Sequence, residues 1–187
     1  MTMEQVGAAL TKLKGRGSVG KVLELMKVRA NPALAVDRNY QRTFKGYYRM
    51  GRRREAFYRH FFSMLREAAS APSPPSLKAI LQDLCDKTEE RHLSFGSKMR
   101  ATVTDDAVIF DRNVAAHFSV RSTSLPKQNW LSEALRRYEE VRRGIQAFAQ
   151  APEWPQMRAL FDQTFPNAAH LSDIRKADLI IWAAYDP

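Results

Sequence analysis

The chain has 187 residues, of which 44% are apolar and 27% charged, and its 30 basic and 20 acidic residues give a net charge of +10 at pH 7. These proportions exclude wholesale disorder, and the absence of any stretch of about 18 apolar residues excludes a membrane-spanning segment. The single cysteine, Cys85, excludes a disulfide framework and a cysteine-based zinc site. We therefore expect a soluble protein of a reducing compartment without a structural metal.

The hydrophobic pattern predicts helices along nearly the whole chain. Its clearest instance is the stripe Phe57, Phe61, Met64, Leu65 and Ala68, which recurs at three- and four-residue spacing and should face the core. No segment alternates between apolar and polar residues as a half-buried strand would. In chain order, the predicted helices cover residues 4–14, 18–29, a segment from about 40, 55–69, 77–90, short segments from 97 and from 111, 129–149, 155–165 and 172–182.

One loop interrupts this pattern more strongly than the others. Residues 71–76 read Ala-Pro-Ser-Pro-Pro-Ser, which is typical of a loop. We predict a single all-α domain over residues 1–187, with two lobes, 1–70 and 77–187, joined by this loop and separated by a cleft.

The segment from Gly15 to Lys21 matches two phosphate-binding patterns, GxGxxG and GxxxxGK. Both patterns require a strand before the loop, and the second requires Ser or Thr after the lysine, where this chain has Val22. A turn between two helices is therefore the favoured interpretation. Nucleotide binding, or contact of the loop amides with a DNA phosphate, stays open.

Most of the positive charge lies in one segment of the chain. Residues 38–66 hold nine basic residues and one acid, Glu55, which gives a net charge of +8. Such a concentration favours a polyanion, because phosphate contacts release bound counterions. A basic surface for solubility, for an acidic protein or for a membrane surface is the alternative. The candidate phosphate contacts are Arg49, Arg52, Arg53 and Arg54.

Aromatic residues lie among these charges. Phe57, Phe61 and Phe62 are expected to be core residues. Tyr40, Tyr47 and Tyr48 are candidates for contact with an exposed base, because aromatic faces stack on unpaired bases.

The stretch around Lys98 is the most informative part of the sequence. Ser94, Gly96 and Ser97 are predicted to form a tight turn between two helices whose backbone amides hold a DNA phosphate, with Lys98 at the start of the next helix. Thirteen residues later, the apolar connector Val108-Ile109-Phe110 leads to Asp111, where free amides of a helix N-terminus would stabilise a carboxylate.

This stretch resembles the helix-hairpin-helix DNA glycosylase superfamily, in its 8-oxoguanine DNA glycosylase/lyase-like branch. The resemblance covers about 25 residues and rests on Gly96-Ser97-Lys98 as the end of the hairpin and on Ile109-Phe110-Asp111 as the aspartate site. The hairpin's usual Pro and first Gly are replaced by Leu93 and Ser94, and the Lys–Asp spacing is shorter than in the family. The resemblance implies a helix-hairpin-helix element, Lys98 as nucleophile and Asp111 as the carboxylate that stabilises the transition state.

Residues near Asp111 complete the predicted site. Arg112 and Asn113 could meet a phosphate or a flipped base, and His117 is a further base-pocket candidate whose alternative is a structural role. Trp130, Trp154 and Trp182 are expected to be packed in the fold rather than in a site.

The resulting hypothesis is a DNA glycosylase, with or without AP-lyase activity, that flips a damaged or modified base out of double-stranded DNA and excises it. Such an enzyme would need no metal and no diffusible cofactor, and we expect it to be cytoplasmic and nucleoid-associated. A modified base in foreign DNA, such as that of a phage, is one candidate target. The alternatives are a non-catalytic nucleic-acid-binding protein and an interaction subunit of a defence system that uses the basic face for an acidic partner.

Overall fold

The computed structural model describes residues 1–185, and within that range it contains ten α-helices and no strand. The predicted all-α class is confirmed. None of the helices in this range is long and apolar enough to cross a membrane. The helices are α1 (Met3–Gly15), α2 (Ser18–Met26), α3 (Arg38–Tyr47), α4 (Glu55–Ser70), α5 (Leu77–Thr88), α6 (Leu93–Val103), α7 (Arg112–His117), α8 (Trp130–Phe148), α9 (Trp154–Thr164) and α10 (Asp173–Tyr185).

Side-chain caps explain where several helices begin. The Thr2 hydroxyl accepts from the backbone of Gln5 at 3.3 Å and completes a capping box at α1. Asp37 and Ser76 likewise accept from the amides of Tyr40 and Ala79. Each cap satisfies a backbone amide that has no partner within its own helix.

The glycine-rich segment between residues 15 and 21 is a turn between two helices. Helix α1 runs directly into it, and Gly17 adopts a φ of +60°, a conformation that glycine takes without steric cost. No strand precedes the segment, so the structural context that a phosphate-binding loop requires is missing here.

Two clusters of buried side chains form the core. One joins α1 to α8, α9 and α10 through residues such as Leu13, Val141 and Ile180. The other surrounds Phe44 and Phe61 and contains the predicted stripe of α4. Helix α1 packs on α10, and the two clusters both take residues from α5 and α6. The boundary between them therefore does not follow the predicted lobes 1–70 and 77–187.

The tight turn predicted at Ser94–Gly96 is wrong. Helix α6 already begins at Leu93, and the amide of Gly96 donates to the carbonyl of His92 at 3.0 Å within the helix. Gly96 instead lets α6 approach α5, since a Cβ atom on it would lie 2.6 Å from Cδ2 of the buried Leu81. The presence of glycine at position 96 is therefore explained by close packing of two helices and not by a turn.

We expect Gly96→Ala to lower the free energy of unfolding by about 1–3 kcal/mol, because the methyl group overpacks the contact with Leu81. Gly20→Ala is the matched control, since that helical position has open space around it and alanine favours helix by up to about 1 kcal/mol. Urea unfolding of both variants is the measurement. Equal stability of the two variants would contradict the packing role of Gly96.

Candidate active site

A pocket opens where the C-terminal end of α3 meets α6, α7 and α10. Its volume is about 170 Å³, close to the roughly 150 Å³ of an engineered cavity that binds one benzene ring. The residues that line it include Lys98 and Asp111, the two predicted catalytic residues. The full lining consists of Tyr47, Tyr48, Arg49, Lys98, Ile109, Asp111, Arg112, Asn113, Val114, Asp178, Leu179 and Trp182.

The amine of Lys98 is almost completely removed from water. Lys98 is 6% exposed, its Nζ donates to the carbonyl of Tyr48 at 3.2 Å, and it lies 3.8 Å from Oδ2 of Asp111. Burial lowers the pKa of Lys98, the charge of Asp111 opposes that effect, and the positive charge of Arg49 lowers the pKa further. The neutral amine, which is the nucleophilic form, is therefore favoured more than in a free lysine.

Asp111 caps α7 as its sequence position predicts. Its Oδ1 accepts from the amide of Asn113 at 2.9 Å, while Oδ2 faces Lys98. Its side chain is about a quarter exposed, so water and the helix amides both stabilise the negative charge. Within the pocket, this places a carboxylate beside the amine.

One buried hydrogen bond joins the two segments that carry this pair. The hydroxyl of Ser97 accepts from the amide of Phe110 at 2.9 Å and donates to the carbonyl of Ser94 at 2.9 Å. Ser97 directly precedes Lys98, and Phe110 directly precedes Asp111, so this bond fixes the relative position of the amine and the carboxylate. Ser97 is fully buried, which means that it supports the site from behind and does not face a DNA phosphate.

The other two residues of the predicted phosphate-binding turn also lie away from any such role. Gly96 is buried against α5, and Ser94 is half-buried in the first turn of α6. A hairpin turn that presents their amides to a phosphate is not formed at this position, because the segment belongs to the helix.

The three tyrosine candidates separate into two groups. Tyr47 and Tyr48 line the pocket, and the ring of Tyr47 lies 4.9 Å from that of Tyr48 and 6.4 Å from that of Trp182. Burial raises the pKa of both phenols, so their hydroxyls are neutral. Tyr40 does not reach the pocket: it is buried one helical turn before Phe44, and its hydroxyl donates to the carbonyl of Leu25 at 2.8 Å.

His117 also lies outside the pocket lining. It ends α7, and its ring packs against Phe118 at 4.6 Å and Tyr185 at 4.7 Å. Burial lowers the pKa of His117. Its prediction as a base-pocket residue is wrong, because its ring packs against Tyr185 at the C-terminal end of α10, beyond the residues of that helix that line the pocket.

The predicted phosphate contacts lie at the pocket and in the loop that follows it. Arg49, Arg112 and Asn113 line the pocket. Arg52, Arg53 and Arg54 are exposed in the loop before α4. Arg53 also lies 3.4 Å from Glu90, with its guanidinium over the ring of Phe95. Cationic side chains therefore extend from the pocket along this loop.

Three residues of α10 line the pocket without having been predicted there: Asp178, Leu179 and Trp182, the last of which was expected to be packed in the fold. Asp178 is 2% exposed and lies 3.3 Å from the guanidinium of the buried Arg175. Burial raises the pKa of Asp178 to about 7, although the charge of Arg175 and the nearby backbone amide of Ile109 lower it. The sequence signal for Asp178 was the segment Arg-Lys-Ala-Asp, which directly precedes the apolar part of α10. Charged residues are seldom buried without a specific partner or role.

Comparisons of the chain with protein-family models, curated proteins and solved structures find no match. Among residues 1–185, no group of three or more His, Cys, Asp or Glu side chains is arranged to hold a metal ion.

Two substitutions should move the pKa of Lys98 in opposite directions. Asp111→Asn removes the negative charge that raises this pKa, so we expect a lower value, whereas Arg49→Gln removes a lowering charge, so we expect a higher value. The measurement is the pH dependence of acetic anhydride labelling at the peptide that contains Lys98. Shifts in the same direction, or a wild-type value at or above the roughly 10.4 of a free lysine, would contradict this account.

Proposed function

We propose that this protein is a DNA glycosylase with AP-lyase ability that removes a damaged or modified base from DNA. The observation that carries the proposal is the 3.8 Å approach of the Lys98 amine to the Asp111 carboxylate inside an open, aromatic-walled pocket. A nucleophile beside a group that can accept a proton or stabilise positive charge is the arrangement that glycosidic bond cleavage needs.

Lys98 supplies the nucleophile. Its neutral amine attacks C1′ of the flipped nucleotide, a C1′–N bond forms, and the bond to the base breaks with its electron pair leaving on the base, which then takes up a proton. Opening of the sugar ring converts the adduct into a Schiff base, from which the 3′ phosphate can be eliminated. The lowered pKa of Lys98 increases the fraction of neutral amine near pH 7.

Asp111 acts on the charge that develops during this step. Loss of the base gives C1′ an oxocarbenium-like character, and a fixed carboxylate nearby stabilises it. The carboxylate is also positioned to receive the proton that the attacking amine must lose. Its second oxygen is held by the amide of Asn113, so the group is oriented before substrate arrives.

The pocket would bind the flipped nucleotide, and the residues around it would bind the adjacent phosphates. A base inside a duplex is inaccessible, so the nucleotide must rotate into a pocket that can stack on it. Tyr47 and Trp182 supply aromatic surface inside the pocket, and Arg49 and Arg112 supply positive charge at its lining. The exposed arginines at 52–54 would follow the phosphate backbone next to the flipped nucleotide.

Base release is the test of the proposal. Across a panel of duplexes with normal and modified bases, the wild-type chain should generate abasic sites on at least one. Lys98→Gln and Asp111→Asn should each reduce that rate by a factor of about 10² or more while changing DNA affinity by only a few-fold. Lys87→Gln, at an exposed position on α5, is the control that keeps full activity.

Two outcomes would contradict the proposal. Full activity in both variants would remove Lys98 and Asp111 from the mechanism. Salt-sensitive DNA binding by the wild-type chain without base release on any duplex would favour a non-catalytic nucleic-acid-binding protein instead.

The exposed arginines give a second prediction, which concerns binding alone. Replacing Arg52, Arg53 and Arg54 with glutamine should weaken DNA binding and reduce the slope of log K against log salt by up to about 0.9 for each phosphate that these arginines neutralise. The control replaces Arg136 and Arg143 on α8, which pair with glutamates of their own helix. Binding titrations at several salt concentrations measure both slopes, and equal reductions in the two sets would contradict a localised DNA interface.

A further inference from the structure

Lys98 has the environment of an amine that condenses with carbonyl compounds. Its side chain lines the pocket at 6% exposure, and its Nζ donates to the carbonyl of Tyr48 at 3.2 Å. Burial and the charge of Arg49 both lower its pKa. Lysines that are desolvated or that lie next to another cationic group form Schiff bases with carbonyl substrates. This chemistry is not confined to the sugar of a DNA substrate.

The charged groups of the pocket favour an anion as the partner of this amine. The two carboxyl groups of the lining are already engaged, since Asp111 faces the amine at 3.8 Å and Asp178 pairs with the buried Arg175 at 3.3 Å. Arg49 and Arg112 also line the pocket, and both are exposed to solvent. A guanidinium group presents several N–H donors in a geometry that matches a carboxylate or a phosphate.

The size and the walls of the pocket favour a ligand with a single ring. The volume is about 170 Å³, and a cavity of roughly 150 Å³ holds one benzene ring. Tyr47 and Trp182 line the pocket with ring centroids 6.4 Å apart. Aromatic rings pack well against each other in stacked or edge-to-face arrangements, so a ring between the arginines and the amine would contact this wall.

We propose that Lys98 forms an imine with a small single-ring aldehyde that carries a carboxylate or phosphate group, and that Arg49 and Arg112 hold this anionic group. The activity needs no DNA. It therefore goes beyond the proposed base release and does not rest on it.

The condensation balances with water as its only by-product. The lone pair of Nζ attacks the carbonyl carbon and forms a C–N bond. The carbonyl oxygen takes up the two protons that the neutral amine gives up and leaves as water, and a C=N bond replaces the C=O bond. The carboxylate of Asp111, 3.8 Å from the amine, is placed to carry a proton from nitrogen to oxygen.

Two matched pairs of aldehydes test the preference for an anion. The compound para-formylbenzoate is paired with its methyl ester, and pyridoxal phosphate is paired with pyridoxal. Each aldehyde is mixed with the full chain, imines are reduced with borohydride, and adducts are quantified by peptide mass spectrometry. The exposed Lys87 of α5 is the reference in the same digest. It corrects for the intrinsic reactivity of each aldehyde and for the attraction of any anion to a chain with a net charge of +10.

We expect the anionic member of at least one pair to label Lys98, relative to Lys87, at least about fivefold more than its uncharged partner does. The pair that responds identifies the anion as a carboxylate or a phosphate. The double variant Arg49→Gln, Arg112→Gln should reduce this preference to about twofold or less, because the anion loses both partners. The ratio compares two aldehydes on one amine, so a change in the pKa of Lys98 cancels.

The matched control is the double variant Arg59→Gln, Arg66→Gln. It removes the same charge from exposed positions on α4 outside the pocket lining, and it should keep the preference. The comparison of aldehydes on the wild-type chain decides the question even when a variant does not fold.

Absence of an adduct at Lys98 with all four aldehydes overturns the inference, as does a preference at Lys98 no greater than at Lys87. A preference that survives loss of both pocket arginines also overturns it. The result is separate from base release. A chain that releases a base from DNA without the anion preference keeps the proposed function and loses this inference, and a chain with the preference but without base release keeps the aldehyde site and loses the glycosylase.

Discussion

A lysine amine that has lost most of its water needs a nearby group that stabilises its charge, and here that group is a carboxylate on a neighbouring element. Lys98 is buried beside the rings of Tyr48 and Phe95, whose faces attract the charged amine, while its loss of water favours the neutral form. Asp111, 3.8 Å away, favours the charged form and keeps the cost of burial tolerable. The balance between burial, the Asp111 carboxylate and the charge of Arg49 sets the protonation state of the amine, and the proposed chemistry depends on that state.

The rest of the fold serves to hold this pair beside an open space. The Ser97 hydroxyl ties the connector before Asp111 to α6, and Arg29 and Arg175 both donate to the C-terminal carbonyls of α6. Helix α10, packed on α1 and α7, closes the far side of the pocket. Asp178 lines the pocket from α10, and the fully buried Arg175 pairs with it at 3.3 Å from behind the pocket wall. Such buried ionic pairs seldom increase stability over an apolar core.

The sequence predicted features that depend on local pattern and missed those that depend on distant contacts. Apolar spacing identified the helices and the buried stripe of α4, and the position of Asp111 after an apolar connector predicted its cap on α7. Gly96 was misread because a glycine that lets α6 approach Leu81 looks, in sequence, like a glycine in a turn. Asp178 was missed because it reaches the pocket only through the packing of α10, about 80 residues after Lys98. Tyr40 lies among the same basic residues as Tyr47 and Tyr48 in the sequence, and only its burial and its hydrogen bond to Leu25 show that it is a core residue.

The amine of Lys98, the carboxyl groups of Asp111 and Asp178, and aromatic rings line one pocket. The most direct test of this account is borohydride reduction of the full chain mixed with DNA that carries an abasic site, followed by mass spectrometry of the cross-linked peptide. The account predicts a covalent adduct on the peptide that contains Lys98, and no such adduct with Lys98→Gln. An adduct on a different lysine, or base release with no adduct at all, would contradict the role of Lys98 as the nucleophile.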